Sequence, residues 1–345
     1  MLDPQTFASF RRLEPGMELT LKKRYRQPME KVFAALSTPE RISAWMGCTW
    51  QGDPAPLRVG SSFSYTFGDS DMPTVGRVTA YEAPRLIEHT WFENLPPEAV
   101  VRWSLEPDGE GCLLTLTQST ARRDDVTRNG AGWTMIIRQL DAWLADQPFV
   151  PPESWQAVHD RLVDELGPEA VRDGRRFALA DGRTVVEFKR VIHRPPAEIW
   201  PWLTEPAKLN DWLGDTDVEL RPGGVYRIRF IMADIVMEGT LTEVDPARRR
   251  LALIWREPWF KNDDVVLAFD IEPYAAGFSL LTLTHTFPAG YDPQDYLAGW
   301  HEFMDALEDA MAGKPFTLEA ARSPERKREY RTREKVYLAI AAAGG

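Results

Sequence analysis

The segment RYRQPMEKVFAALSTPERISAWMG, Arg24 to Gly47, is answered later in the chain by RVIHRPPAEIWPWLTEPAKLNDWLG, Arg190 to Gly214. A single shift of 167 positions carries Pro28 onto Pro195, Phe33 onto Trp200, Leu36 onto Leu203, Pro39 onto Pro206 and Trp45 onto Trp212. A repeat of this length leaves few architectures open. The chain reads as two copies of one folding unit, each of which must close its own core.

Within the segment, Pro28 suits a first helical turn, where its missing N–H costs nothing, and Met29, Val32, Phe33 and Leu36 then share one face. Ser37, Thr38 and Pro39 end that helix and open another, with Thr38 placed to cap it and Ile42, Trp45 and Met46 as its apolar face. The second copy repeats the pattern with Ile199, Trp200 and Leu203, then Leu209, Trp212 and Leu213.

Strands follow. Each copy starts with a turn signal ahead of a strand, Pro15-Gly16 and Asp181-Gly182. Phe63, Tyr65 and Phe67 alternate with small polar residues, GDSDMP turns the chain, Thr74 to Tyr81 returns it, and Leu86 to Phe92 makes the next strand. Ala99, Val101, Trp103 and Leu105 share a face ahead of LLTLTQST. Repeat two answers with Tyr226, Ile228 and Phe230, then Val236 to Val244, Leu251 to Trp255, Val265 to Ile271 and LLTLTHTF. Period-two alternation with short turns predicts antiparallel sheets with one covered face. The cover is the last helix of each repeat: Trp133, Ile136, Ile137, Leu140, Trp143 and Leu144 in the first, Trp300, Phe303, Met304, Leu307 and Met311 in the second.

Composition narrows the function classes. At 345 residues the chain fits two domains of about 150 residues each, and 41 basic against 52 acidic residues argue against a phosphate-binding surface. No run of about 18 apolar residues occurs, and the N-terminus lacks the apolar core of a secretory signal. Cys48 and Cys112 do not match between repeats and form no CxxC. The expectation is a reduced, cytoplasmic protein that binds neither nucleic acid nor membrane.

The residues of the repeated segment also resemble a known family. A strand, a Pro, a VFAAL or IWPWL helix, TPE or TEP, and a closing WMG or WLG resemble the opening of the START-like (SRPBCC) ligand-binding superfamily. Within it the chain resembles homologues of the activator of heat-shock protein 90 ATPase, a group that also takes in polyketide cyclases. The resemblance implies an α+β fold of two tandem helix-grip domains, each a curved antiparallel sheet around a long C-terminal helix with a cavity between them. The activator itself joins one such unit to a different N-terminal domain, whereas this chain carries two.

The expected division is 1–147 for the first domain, 148–176 for a linker with a helix capped by Ser154, 177–314 for the second domain and 315–345 for a helical tail. From Arg322 to Lys335 the tail has seven basic and three acidic residues. It reads as a solvated helix starting at Ser323-Pro324, with pairs such as Glu329 to Arg333. Tyr330, Val336, Tyr337 and Ile340 are its candidates for packing.

Ligand-binding candidates are Trp45, Phe63, Tyr65, Trp91, Trp103, Trp133 and Ile137 in the first repeat. In the second they are Trp212, Tyr226, Phe230, Trp255, Phe269, His285, Trp300 and Met304. The physical reason is collective. A dry void of about 300 Å³ would cost on the order of 7 kcal/mol, against total stabilities of about 5–15 kcal/mol, so a cavity must be used, wet or filled. The PGGVYRIRF and LTLTHTF strands point to repeat two as the better-preserved site.

His285 and His89 read first as hydrogen-bonded structural histidines. No metal motif, nucleophile elbow or phosphate loop is present, so no cofactor, metal or catalytic residue is assigned. Glu88, Asp141, Glu238, Asp270 and Asp305 are the carboxylates that would need to face a cavity for acid–base work. The leading expectation is non-catalytic binding of a small apolar or aromatic molecule, in a stress-response or regulatory setting. A chaperone-like protein partner is the alternative, and a cyclase or dehydratase-like enzyme the third.

Overall fold

The computed structural model describes residues 6–13, 16–67, 73–91, 99–120, 125–232, 235–256 and 265–343. Pro15, the turn over 68–72 and the strand end at Phe92 lie outside the described residues. The chain divides into two compact units, Met1–Ala170 and Val171–Gly345.

In the first unit, β1 (Thr6–Arg12) and β2 (Met17–Tyr25) form a hairpin, followed by α1 (Met29–Ser37) and α2 (Pro39–Met46). Then β3 (Cys48–Gly52), β4 (Ser62–Phe67), β5 (Thr74–Glu82), β6 (Leu86–Trp91), β7 (Ala99–Asp108) and β8 (Gly111–Thr120) run back across the sheet. The last strand pairs with β2, so the antiparallel order is β1-β2-β8-β7-β6-β5-β4-β3. Alternation is strict along β8, where Cys112, Leu114, Leu116, Gln118 and Thr120 are buried. The helix α3 (Asp125–Leu144) presses Trp133, Ile137 and Leu140 onto that face. Behind it lies α4 (Trp155–Leu166), capped by Ser154, whose hydroxyl accepts the Ala157 N–H at 3.1 Å.

The second unit repeats this order with β9 (Arg175–Ala178), β10 (Thr184–Ile192), α5 (Pro196–Thr204), α6 (Pro206–Leu209), β11 (Gly214–Val218) and β12 (Val225–Phe230). It continues through β13 (Val236–Asp245), β14 (Arg250–Arg256), β15 (Val266–Ala275), β16 (Phe278–Phe287) and the covering helix α7 (Gln294–Met311). Two further helices, α8 (Leu318–Arg322) and α9 (Pro324–Ala343), complete it. Its sheet order, β11-β12-β13-β14-β15-β16-β10-β9, is that of the first unit. Both units are therefore helix-grip domains of one topology.

The repeated WMG and WLG signature has a mechanical cause. In each unit the indole at its centre folds back on the preceding helix, Trp45 Nε1 donating to Ala35 O and Trp212 Nε1 to Trp202 O, both at 2.9 Å. Gly47 ends α2 at φ 66°, a left-handed turn that glycine adopts without a side-chain clash, and its N–H returns to Ser43 O at 3.1 Å. Thr38 takes the cap position of α2 but makes no side-chain cap bond.

An ion pair from a buried sheet cation to the covering helix is also repeated. Lys23 on β2 meets Asp141 on α3 at 3.2 Å, and 167 positions on Arg190 on β10 meets Glu308 on α7 at 3.2 Å. The tail departs from the solvated helix expected from its charge. Arg326 and Arg333 of α9 both bridge Glu302 of α7, which is fully buried, and Arg333 also reaches Asp305 at 2.6 Å. Tyr337 is buried as expected; its hydroxyl accepts the Gly174 N–H and is hydrogen-bonded with His301 Nδ1, each at 2.8 Å.

Candidate ligand-binding cavity

In the first unit the space between sheet and helix is not filled. A cavity of about 420 Å³, its open mouth included, is bounded by Leu36, Ile42, Trp45, Met46, Trp50, Leu57, Phe63, Tyr65, Ile87, His89, Trp91, Trp103 and Trp133. Three structural layers build the walls. α1 and α2 contribute Leu36, Ile42, Trp45 and Met46; the sheet contributes the inward residues of β3, β4, β6 and β7; α3 contributes Trp133.

Of the candidates in this unit, Trp45, Phe63, Tyr65, Trp91, Trp103 and Trp133 come together in the wall, whereas Ile137 is buried in the same core outside it. Trp50, Leu57 and His89 belong to the wall although sequence reasoning did not select them as ligand contacts. The Ile87, His89, Trp91 alternation on β6 was the available signal for the histidine.

The rings are ordered in two sets. Trp50, Phe63 and Tyr65 lie nearly parallel, with interplanar angles of 23°, 18° and 6° and centroids 5.5 to 6.3 Å apart. Against them stands a tilted cluster in which Trp133 touches Trp91 at 4.7 Å and Trp103 at 5.4 Å. Phe63 takes its place because β5 carries Gly76 opposite it: a Cβ there would come within 2.5 Å of the Phe63 ring and 2.4 Å of Thr90 O.

Buried polar groups in these walls need partners. His89 Nδ1 lies 2.9 Å from Thr90 O, which can only accept, so the ring proton sits on Nδ1. The lone pair on Nε2 then accepts Trp103 Nε1–H at 3.3 Å. Burial pushes the imidazole down to about 4, which keeps it neutral near pH 7. Trp133 Nε1–H is held by Gln118 Oε1 at 2.7 Å, and burial holds the Tyr65 phenol well above its usual range. Neither nitrogen of His89 is left over for proton transfer.

The second unit arranges the matching residues differently. Trp212, Tyr226, Trp255, Phe269, His285, Trp300 and Met304 all lie in one buried core, with Phe230 packed against it half-buried. Trp300 donates to His285 Nδ1 at 3.0 Å, as Trp133 does to Gln118, and burial pushes His285 down to about 3. Sheet register places Leu253 and Phe269 where His89 and Trp103 stand in the first unit. Phe230 approaches Trp255 at 5.9 Å and Phe303 at 5.4 Å, bringing rings from sheet and helix together. The described cavity lies in the first repeat.

The five carboxylates considered for acid–base work all have cationic partners on the sheet or outer helix face. Glu88 pairs with Arg102, Asp141 with Lys23, Glu238 with Arg227, Asp270 with Arg250, and Asp305 with Arg172, Arg190 and Arg333. None of them lines the cavity. Among the described residues no three His, Cys, Asp or Glu converge as a metal site, and no helix is long and apolar enough to cross a membrane.

The family model described as Activator of Hsp90 ATPase homolog 1-like protein matches residues 26–145 and again 193–312, two spans offset by the same repeat length. Among solved structures, CalU16 from Micromonospora echinospora is 22% identical, covering 48% of this chain and 98% of its own, with a TM-score of 0.40. EF2215 from Enterococcus faecalis, a conserved protein of unknown function, is 22% identical over 49% of this chain and 90% of its own, with a TM-score of 0.37. DynU16, from the dynemicin biosynthetic locus, covers 85% of this chain and 98% of its own at 20% identity and a TM-score of 0.32. A comparison with functionally curated proteins finds no match.

Proposed function

The chain belongs to the family of activator of Hsp90 ATPase homolog 1-like proteins, and from that premise we propose that its first unit binds a small apolar or aromatic molecule without transforming it. The observation that carries this reading is the aromatic wall described above, in which every side chain but Tyr65 and His89 is hydrocarbon, thioether or indole. Desolvating such a surface with a ligand of matching shape is favourable at about 25 cal/mol per Å² of apolar area.

Binding rather than catalysis is favoured because the polar groups at hand are already engaged. His89 has both nitrogens committed, and the carboxylates are paired elsewhere. A general acid or base must reach the reacting atom with a proton or lone pair to exchange.

The test is equilibrium dialysis of the full chain against naphthalene, with Phe63→Asp as the control that places a charge in the wall. Saturable uptake that Phe63→Asp abolishes supports the reading. Stimulation of a chaperone ATPase by the chain, with no uptake of naphthalene, would instead favour the protein-partner activity in the family's description.

A further inference from the structure

We infer that the His89–Trp103 couple is a hydroxyl-recognition site, which selects aromatic ligands bearing an O–H over the same ring systems without one. This rests on ligand binding in the first unit and specifies which ligands that cavity prefers.

The geometry supplies the argument. Both residues line the cavity, and their mutual hydrogen bond is 3.3 Å long, outside the usual mode of about 2.9–3.0 Å for an N–H donor. The imidazole is fixed in one tautomer by Thr90 O, so Nε2 acts only as an acceptor and Trp103 Nε1–H only as a donor. A hydroxyl is the simple group that serves both at once. Once the two rings part to admit it, its oxygen accepts from Trp103 and its hydrogen goes to His89, replacing one long bond by two ordinary ones and leaving no buried group unpaired. A methoxy or carbonyl oxygen satisfies Trp103 and strands the lone pair of His89. An unsubstituted ring gains neither bond.

The second unit shows that the couple is separable from the fold. At the equivalent ladder positions it carries Leu253 and Phe269, and it keeps the same sheet order and the same covering helix. The interior therefore tolerates losing donor and acceptor together, which avoids the penalty for removing one of them alone.

The experiment uses the full chain and a matched pair of probes, 2-naphthol and 2-methoxynaphthalene, measured by equilibrium dialysis. The wild type is expected to hold 2-naphthol about tenfold more tightly, the order of magnitude of one additional net hydrogen bond. In the double variant His89→Leu/Trp103→Phe, which copies the second unit, the two probes should bind equally. In Trp103→Phe alone the lone pair of His89 loses its competitor, and the preference for 2-naphthol should persist. Equal binding of both probes by the wild type overturns the inference while leaving apolar binding intact. Persistence of the preference in the double variant also overturns it, by placing hydroxyl recognition elsewhere. Uptake of neither probe sinks this inference and the binding function together.

Discussion

On its outer face α3 sets Gly130 and Ala131 against Val158 and Leu162 of α4, whereas the equivalent stretch of α7 sets His301, Glu302 and Asp305 against Arg326, Arg333 and Tyr337 of α9. The same helix of the same fold is thus backed in one unit chiefly by apolar packing, with Glu153 bridging Arg138 of α3 to Arg161 of α4 at its edge, and in the other by a cluster of buried charges. At Gly130 a Cβ would lie 3.0 Å from Leu162 Cδ1, so the two helices approach closely because a side chain is missing. Around Glu302 the contact depends on complete pairing, since a buried carboxylate without its guanidinium partners is far more costly than one that has them. What this teaches is that a backing helix need not carry an apolar stripe to dock, provided its partner supplies the counter-charges.

The comparison can be broken most forcefully at Glu302. Glu302→Ala leaves Arg326 and Arg333 facing each other without their shared acid, and removal of one partner of a buried pair costs about 3–5 kcal/mol. Urea unfolding should show the transition of the second unit shifted by that amount, with the first unit unmoved; an unshifted second transition would mean that charge is not what holds α9.

Next in size is Leu162→Ala, expected to destabilise the first unit by about 2–3 kcal/mol through lost packing against α3. Because no charge is involved, the loss should be the same at about 0.01 M and about 1 M salt. A salt-dependent loss would blur the distinction between the two backings.

A smaller effect follows from pH. Burial alone would raise the carboxyl of Asp305, but Arg172, His301, Arg333 and Arg190 hold it well below the usual range. A folded value depressed below the unfolded one, about 3.9, contributes stability that is present above that pH and is lost as pH falls through the folded value. Unfolding followed between pH 6 and pH 2 should therefore show the second unit weakening below about pH 4 more steeply than its Asp305→Asn variant does. Parallel curves for the two proteins would argue that Asp305 adds nothing there. The smallest effect is on exchange: raising salt from about 0.1 M to about 1 M should speed amide exchange in α9 by less than about tenfold and leave α4 unchanged.

Much of the fold was legible because its signals are local. Pro39 and Pro206 mark helix starts, and the alternation of Phe63 and Tyr65 or of Leu281 and Leu283 fixes which face of a strand is covered. The walls of the cavity were harder to read. Trp50 and Leu57 belong to a short strand and the loop after it, where no period points inward, and whether rings touch or stand apart is decided by fractions of an ångström that hydropathy does not encode. The α9 contact was illegible for a different reason: Arg326 and Arg333 look like solvated charges until the chain brings Glu302 and Asp305 opposite them. His301 and Glu302 carried a signal that could have been weighed, two polar residues in a helix whose other positions are largely apolar.

Between the two interiors a histidine and an indole have become a leucine and a phenylalanine, and a glutamine has become a histidine, yet the union of Lys23 with Asp141 persists as that of Arg190 with Glu308. Such a rivet sets how far along the sheet the helix may travel. With the axial position secured at one point, the rings beneath the helix can differ between the two halves without letting it slip.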